Sequence, residues 1–326
     1  MAISFENAIP KVLDQYAAPM RGLPVPLGNH GGFSGARLWR LEAPAGVFCL
    51  KAWPVDGPTR PHLVWTHHLL ANASSLPWLP RVMTTITGDT VVLHDDRLWE
   101  LHTWMPGRAD FASNPSPERL HRAGIALARL HAAWASKQDS LGICPAVLRR
   151  LDSWRAWEHL TNSGWRPAFE AHDPFAALAA SLACLVARHI DVVPRLLSPW
   201  LSRPMTLQPC VCDIWHDHLL FTGDELTGLI DFGSVKVDHP MVDLARMLGS
   251  LVGADQARWN DGLAAYETVR ALTPEMKNLA FDLDATGAII AGTHWLRWLY
   301  HDGRRFENTA AVAQRLTHLT ERLTGR

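Results

Sequence analysis

The hydrophobic pattern of this chain changes period once, sharply, at Met105-Pro106-Gly107, and reverts only for a short stretch near residue 220. Before that joint the apolar residues mostly alternate, as in strands. After it they recur every three to four residues, as in helices. Leu38 and Arg40, then Val47, Cys49 and Lys51, read as two strands joined by a turn at residues 44–46. Further strands are expected at 82–86, 91–94 and 98–103, with turns at Gly88-Asp89 and Asp95-Asp96. Phe5, Ile9, Val12, Leu13 and Tyr16 stand at helical spacing, and residues 63–73 repeat that period. Pro19, Gly22, Pro24 and Pro26 break the chain after the first of these helices.

Beyond the joint, Ser116 is placed to cap a helix with Pro117 in its first turn and Glu118 early. Helices are also expected at 147–160, 174–193, 241–252, 255–270, 274–300 and 308–323, interrupted by a β-rich stretch at 207–237. The fold class this implies is α+β. A small β-rich lobe covers residues 1–103 and a larger, mainly helical lobe covers 104–326.

Composition removes several function classes. With 326 residues, 48% of them hydrophobic and 19% charged, the chain can bury a sizeable core. Thirty-one basic against 32 acidic residues give a net charge of −1, which argues against a dedicated nucleic-acid or membrane-surface binder. No apolar run reaches the ~18 residues of a membrane span, and the N-terminus lacks a basic-then-apolar signal pattern. Five scattered cysteines fit a reducing compartment, so a cytoplasmic location is expected. Arg outnumbers Lys 26 to 5, so Lys51 is unlike ordinary surface filler.

The β-rich stretch carries the chemistry. Leu219–Phe221 and Leu226–Ile230 form two short strands about Thr222-Gly223-Asp224, with Asp213 before the hairpin, His218 at its mouth and Asp231-Phe232-Gly233 after it. Loops flanking one hairpin can converge at the same end. Phosphoryl transfer uses such a set: one carboxylate orients the attacking hydroxyl, and another holds a divalent cation against the triphosphate. His216, Asp217 and His218, with Asp213 and His239, also allow a metal-hydrolase reading, although no supporting ligand pattern follows downstream. Cys210 and Cys212, one residue apart, fit packing better than redox chemistry.

The order and spacing of these residues resemble the aminoglycoside phosphotransferase and choline kinase-like family, which has a bilobal protein-kinase-like fold. The points of likeness are Asp213, a metal-ligand position five residues on, Asp231-Phe232-Gly233 eighteen residues on, and 238–245 (DHPMVDLA). Leu127-Ala128-Arg129-Leu130-His131 matches a further helix of that family. The resemblance implies an ATP-dependent kinase that phosphorylates a hydroxyl of a small molecule, such as a sugar, an amino alcohol or an antibiotic-like acceptor. Asp213 is then the catalytic base, and His218 and Asp231 hold Mg²⁺ or Mn²⁺. Gly31, Gly32, Phe33, Ser34 and Gly35 form a turn over the nucleotide phosphates, and Lys51 pairs with them. His102 and Trp104 lie in the segment 101–107 that resembles the adenine-binding hinge, and Asp243 buttresses the catalytic loop.

The chain departs from that pattern at three places. Val211-Cys212-Asp213 stands where His-Gly-Asp is usual, and His218 stands where Asn is usual. An imidazole suits Mn²⁺ or Zn²⁺ better than Mg²⁺. The helix at 63–73 offers His67 or His68 and no glutamate to pair with Lys51. The alternative these departures leave open is a catalytically impaired relative that binds nucleotide without turnover. Trp295, Trp298 and Tyr300 are expected either in the core or along an acceptor wall that suits a cationic amine.

Overall fold

The computed structural model describes residues 5–28, 34–135, 140–170 and 172–325. The chain opens with α1 (Phe5–Leu13), β1 (Leu23–Gly28), β2 (Arg37–Ala43), β3 (Gly46–Ala52), α2 (Arg60–Asn72), β4 (Val92–His94) and β5 (Arg97–Thr103). It continues with α3 (Pro117–Trp134), β6 (Ser140–Gly142), α4 (Pro145–Asn162), α5 (Ala176–His189), α6 (Val192–Leu197) and β7 (Met205–Cys210). The last elements are β8 (Leu219–Thr222), β9 (Glu225–Leu229), β10 (Lys236–Asp238), α7 (Met241–Val252), α8 (Gln256–Glu267), α9 (Pro274–Tyr300) and α10 (Thr309–Thr324).

Two compact units result. One comprises Met1–Phe111 with Asp217–Gly233, the other Ala112–His216 with Ser234–Arg326. The division expected at residue 103 is contiguous along the chain, whereas these units are interleaved: the β8–β9 hairpin groups with the N-terminal strands.

In the first unit an antiparallel sheet runs in the order β1-β2-β3-β5-β4. Its side chains alternate between two faces. Trp39, Leu41, Phe48, Leu50, Trp99 and Leu101 lie on one face, buried under Ile9, Val12 and Leu13 of α1. Each such burial stabilises by roughly 1.5–3 kcal/mol. The intervening residues Cys49, Lys51, Glu100 and His102 therefore share the other face. There the register pairs Lys51 with Glu100 and Cys49 with His102. Thr59 caps α2 by accepting the His62 N–H, and α2 brings His67 to this second face, as described below.

The hairpin joins the first unit through main-chain bonds. Arg108 and Phe221 exchange two of them, each 2.9 Å, and the Leu229 N–H donates to the Trp78 carbonyl at 2.8 Å. Gly107 makes the approach possible, because at φ +100° a Cβ there would lie 2.9 Å from the Phe221 carbonyl oxygen.

Strand β1 runs through Pro24 and Pro26, where the sequence reads as a break. It is an edge strand, the position where a missing N–H donor is tolerated. The strand expected at 82–86 reduces to one bridge, Val82 with His102. Beyond it the Thr85 hydroxyl accepts the Asp89 N–H at 3.0 Å and closes a turn.

The second unit is helical about the 27-residue α9, with a three-stranded sheet in the order β10-β7-β6. Helices α3 and α8 cross closely, since a Cβ on Gly124 would meet the Ala265 Cβ at 2.9 Å. The helix expected at 174–193 is two helices, α5 and α6, bent by 46°. Pro194 explains the break, because its ring excludes the carbonyl four residues earlier and it donates no hydrogen bond. Among the described residues no single helix is long and apolar enough to cross a membrane.

Candidate active site

In the first unit, strand period and hairpin register together assemble a charged cluster. Leu219 pairs with Leu229, and the Ile230 N–H donates to the His218 carbonyl at 3.0 Å. His218 and Asp231 thus emerge side by side at the open end of the hairpin. Asp231 turns there with φ +64°, a backbone conformation that costs a non-glycine residue roughly 1–2 kcal/mol. One Asp231 oxygen, Oδ1, accepts from Lys51 Nζ at 3.0 Å, and Oδ2 lies 3.7 Å from His218 Nε2. Lys51 also sits over the Trp53 ring, 3.7 Å from its centroid. Gly233 permits this, because a Cβ there would lie 2.3 Å from Trp53 Cη2.

Glu100 escaped the sequence analysis. It is only 5% exposed, directly across the ladder from Lys51. His67 Nε2 lies 2.8 Å from Glu100 Oε2, and His102 Nε2 lies 3.4 Å from the same oxygen. A signal was present: a lone carboxylate between Trp99 and Leu101, on an alternating strand, must face away from the hydrophobic core.

The charges sustain one another. Burial pushes the Glu100 carboxyl up, but His102, His67 and Lys51 together hold it well below the ordinary range. Burial pulls Lys51 down, and Asp231 with Glu100 outweighs it, so the ammonium is held more firmly than usual. Lys51 draws Asp231 down to about 2, with a smaller contribution from His218. A lasting cation therefore stands between two lasting anions.

Of the phosphate-turn residues, Gly31, Gly32 and Phe33 lie outside the described residues. Gly35 takes φ +75°, and the Ser34 hydroxyl accepts the Ala36 N–H at 3.4 Å. In the hinge segment the His102 main chain pairs with Cys49 on one side and Val82 on the other, so it is the imidazole that it presents. Trp104 donates its main-chain N–H to the Val47 carbonyl at 2.9 Å, and the residue is 38% exposed.

The second unit holds Asp213. Arg246 fixes its Oδ1 through two guanidinium nitrogens at 3.1 and 3.3 Å, and the side chain is 46% exposed. The loop leading to it hangs on Asp243, which is fully buried and accepts the Val211 N–H at 2.7 Å and the Cys212 N–H at 2.6 Å. Asp243 Oδ2 also lies 3.0 Å from His131 Nε2, and the far side of that ring meets the Tyr266 hydroxyl at 2.8 Å. Cys212 is held at φ +64°, the left-handed region in which a glycine at this place is unstrained. Asp238 performs a related service, accepting the Ala146 N–H of α4 and the Arg149 guanidinium.

Other candidates fall elsewhere. His216 and His218 stand on a 3₁₀ turn and not on a strand, and His216 Nδ1 bonds the Ser250 hydroxyl at 2.7 Å. Trp295 is buried in the core. Tyr300 is half-buried and donates to Asp173 at 2.5 Å.

The sequence profile of the "Phosphotransferase enzyme family" matches residues 27–279. A homoserine kinase of Beijerinckia indica subsp. indica is 31% identical over 192 residues, covering 56% of this chain and 53% of that protein. A homoserine kinase of Rhodospirillum rubrum is 27% identical over 250 residues, 70% of each. The chain spans about half the length of most of the curated relatives it matches. The crystal structure of spectinomycin phosphotransferase in complex with ADP and spectinomycin superposes with a TM-score of 0.72 at 11% identity, over 99% of this chain and 98% of that one. This similarity establishes the kinase-like α+β fold, an N-terminal antiparallel sheet followed by a larger helical part.

Proposed function

Because the chain belongs to the phosphotransferase enzyme family, we propose that it transfers the γ-phosphoryl group of ATP to a hydroxyl of a small amino-bearing molecule, with homoserine as the first acceptor to test. The arrangement that supports this reading is the Lys51–Asp231 pair at 3.0 Å with His218 beside it. The acceptor class rests on the homoserine kinases among the relatives.

Asp213 accepts the proton of the attacking hydroxyl while Arg246 holds its carboxylate in place. Lys51 and the turn at 31–35 neutralise the phosphates, and the segment 101–107 receives the adenine. Asp231 and His218 suit a divalent cation. Their facing atoms are 3.7 Å apart, whereas two ligands each ~2.1 Å from one ion lie roughly 3–4 Å apart. The carboxylate stays ionised down to about pH 2. Bound there, the ion would neutralise charge on the phosphates. One oxygen with one imidazole favours Mn²⁺ over Mg²⁺. A role limited to binding nucleotide drew on the Val211-Cys212 and His218 departures as well as on the missing helix carboxylate, and Glu100, paired with Lys51 in the ladder, answers the last of these.

The test is ATP consumption with homoserine and a panel of amino alcohols and sugars, in Mg²⁺ and in Mn²⁺. Turnover should be higher in Mn²⁺, and Asp213→Asn should lower kcat by roughly 10²- to 10⁴-fold with little change in nucleotide affinity. Nucleotide binding without turnover on any acceptor would refute the reading.

A further inference from the structure

The helix that covers the Lys51 face carries an imidazole where the family resemblance leads one to expect a carboxylate. His67 points from α2 at Glu100 of β5, 2.8 Å away, and Glu100 in turn lies across the ladder from Lys51. We propose that Glu100 is the positioning carboxylate of Lys51, displaced from the helix to the neighbouring strand, and that His67 and His102 are the clamp that aims it. The inference rests on the nucleotide-site reading given above.

The geometry gives Glu100 a specific task. Lys51 leans on Asp231, a residue that in the proposed reaction also serves the metal. A lysine whose sole anionic neighbour was shared with a metal would relax toward water or follow Asp231. With Glu100 fixed opposite, Lys51 keeps an anionic neighbour and stays aimed at the phosphates. Misplacement of a reacting or charge-stabilising group by ~1 Å can cost about 10²-fold in rate.

The donor arithmetic agrees. A carboxylate only accepts, so both Nε2 atoms that face Oε2 donate, and in a ring carrying one N–H the Nδ1 is then a lone pair. Among the described residues neither of these buried Nδ1 atoms has a hydrogen-bond partner. That is tolerable for an acceptor. A metal ion held by His67, Glu100 and His102 would fit poorly, since ligation through Nε2 would put N–H groups on those same Nδ1 atoms with nothing to receive them.

Three proteins test the proposal: wild type, Glu100→Gln, and the swap His67→Glu combined with Glu100→Gln, which returns the carboxylate to the helix. Each is assayed for turnover, for equilibrium ADP binding, and for acylation of Lys51 by an acyl-phosphate of ATP. In that reagent the lysine amine attacks the acyl carbon and ATP leaves, so labelling reports whether Nζ lies against the phosphates. Glu100→Gln should lower kcat and Lys51 labelling by roughly 10- to 100-fold while ADP affinity changes less than about threefold, and the swap should recover most of both losses. A folded Glu100→Gln protein with wild-type kcat and labelling overturns the inference, as does a swap that recovers neither. Wild-type protein whose Lys51 is never labelled sinks the nucleotide site itself, and this inference with it. Labelled wild type without turnover rejects the proposed reaction alone, and the labelling comparison then decides the role of Glu100.

Discussion

Removal of the Asp243 carboxylate should detach the loop that carries Asp213. Asp243 is fully buried, and its two oxygens accept the main-chain N–H groups of Val211 and Cys212 at 2.7 and 2.6 Å. In Asp243→Ala both donors lose their acceptor inside protein, at roughly 1–3 kcal/mol each. Cys212 also loses one of the bonds that hold it at φ +64°, a conformation worth roughly 1–2 kcal/mol of strain. The two losses together come to about 2–6 kcal/mol, less whatever strain Cys212 sheds. Asp243→Asn should lose less, about 2–4 kcal/mol, because its oxygen still serves one donor while its amide opposes the other. Urea unfolding followed by tryptophan fluorescence gives the stability change, and amide exchange at residues 211 and 212 reads the two bonds directly. If Asp243→Ala costs under about 1 kcal/mol, or leaves those amides as protected as in wild type, the buttress reasoning is wrong.

Gly233→Ala should perturb the lysine through its indole neighbour. The new Cβ would come 2.3 Å from Trp53 Cη2, so a loss of about 1–3 kcal/mol and a raised KM for ATP are expected in denaturation and steady-state assays. Acid should destabilise the second unit through His239. Burial, with smaller effects from His131 and Arg270, holds this imidazole down to about 4 against an ordinary 6.5, although Asp238 opposes the shift. The unfolded chain then binds the proton first, so this contribution is complete above pH ~6.5 and fades as pH falls toward 4, by at most about 1.4 kcal/mol per pH unit. His239→Gln should flatten the urea-midpoint profile over that window.

Most of the fold was legible because its signals are local. The β2–β3 hairpin, the Ser116 cap and the run of helices each follow from period, caps and turn residues within a dozen positions. The misses have different causes. Strand β1 exists because an edge tolerates Pro24 and Pro26, and edge status depends on which strands lie beside it. The bend between α5 and α6 could have been read from Pro194, whose effect reaches only four residues back.

The charged cluster divides along the same line. His218 and Asp231 were readable because the hairpin register couples them over a short stretch of chain and an Asp-Phe-Gly turn marks the spot, while Lys51, 180 residues from Asp231, stood out as a strand lysine in a chain with only five. Glu100 was not, because its meaning comes from the β3–β5 pairing, which joins residues 49 apart in a register that no local pattern fixes. The helix looked deficient because it was considered alone. Once β5 is laid beside β3, the missing charge is on the strand, and the histidine that seemed a poor substitute for a carboxylate is instead the donor that such a carboxylate needs. A departure from a family pattern at one position is thus weak grounds for inferring lost function until the residues facing it have been identified. Asp243 teaches the converse. Its motif was legible, yet its role in holding a non-glycine Cys212 in a left-handed turn depends on two hydrogen bonds spanning about thirty residues.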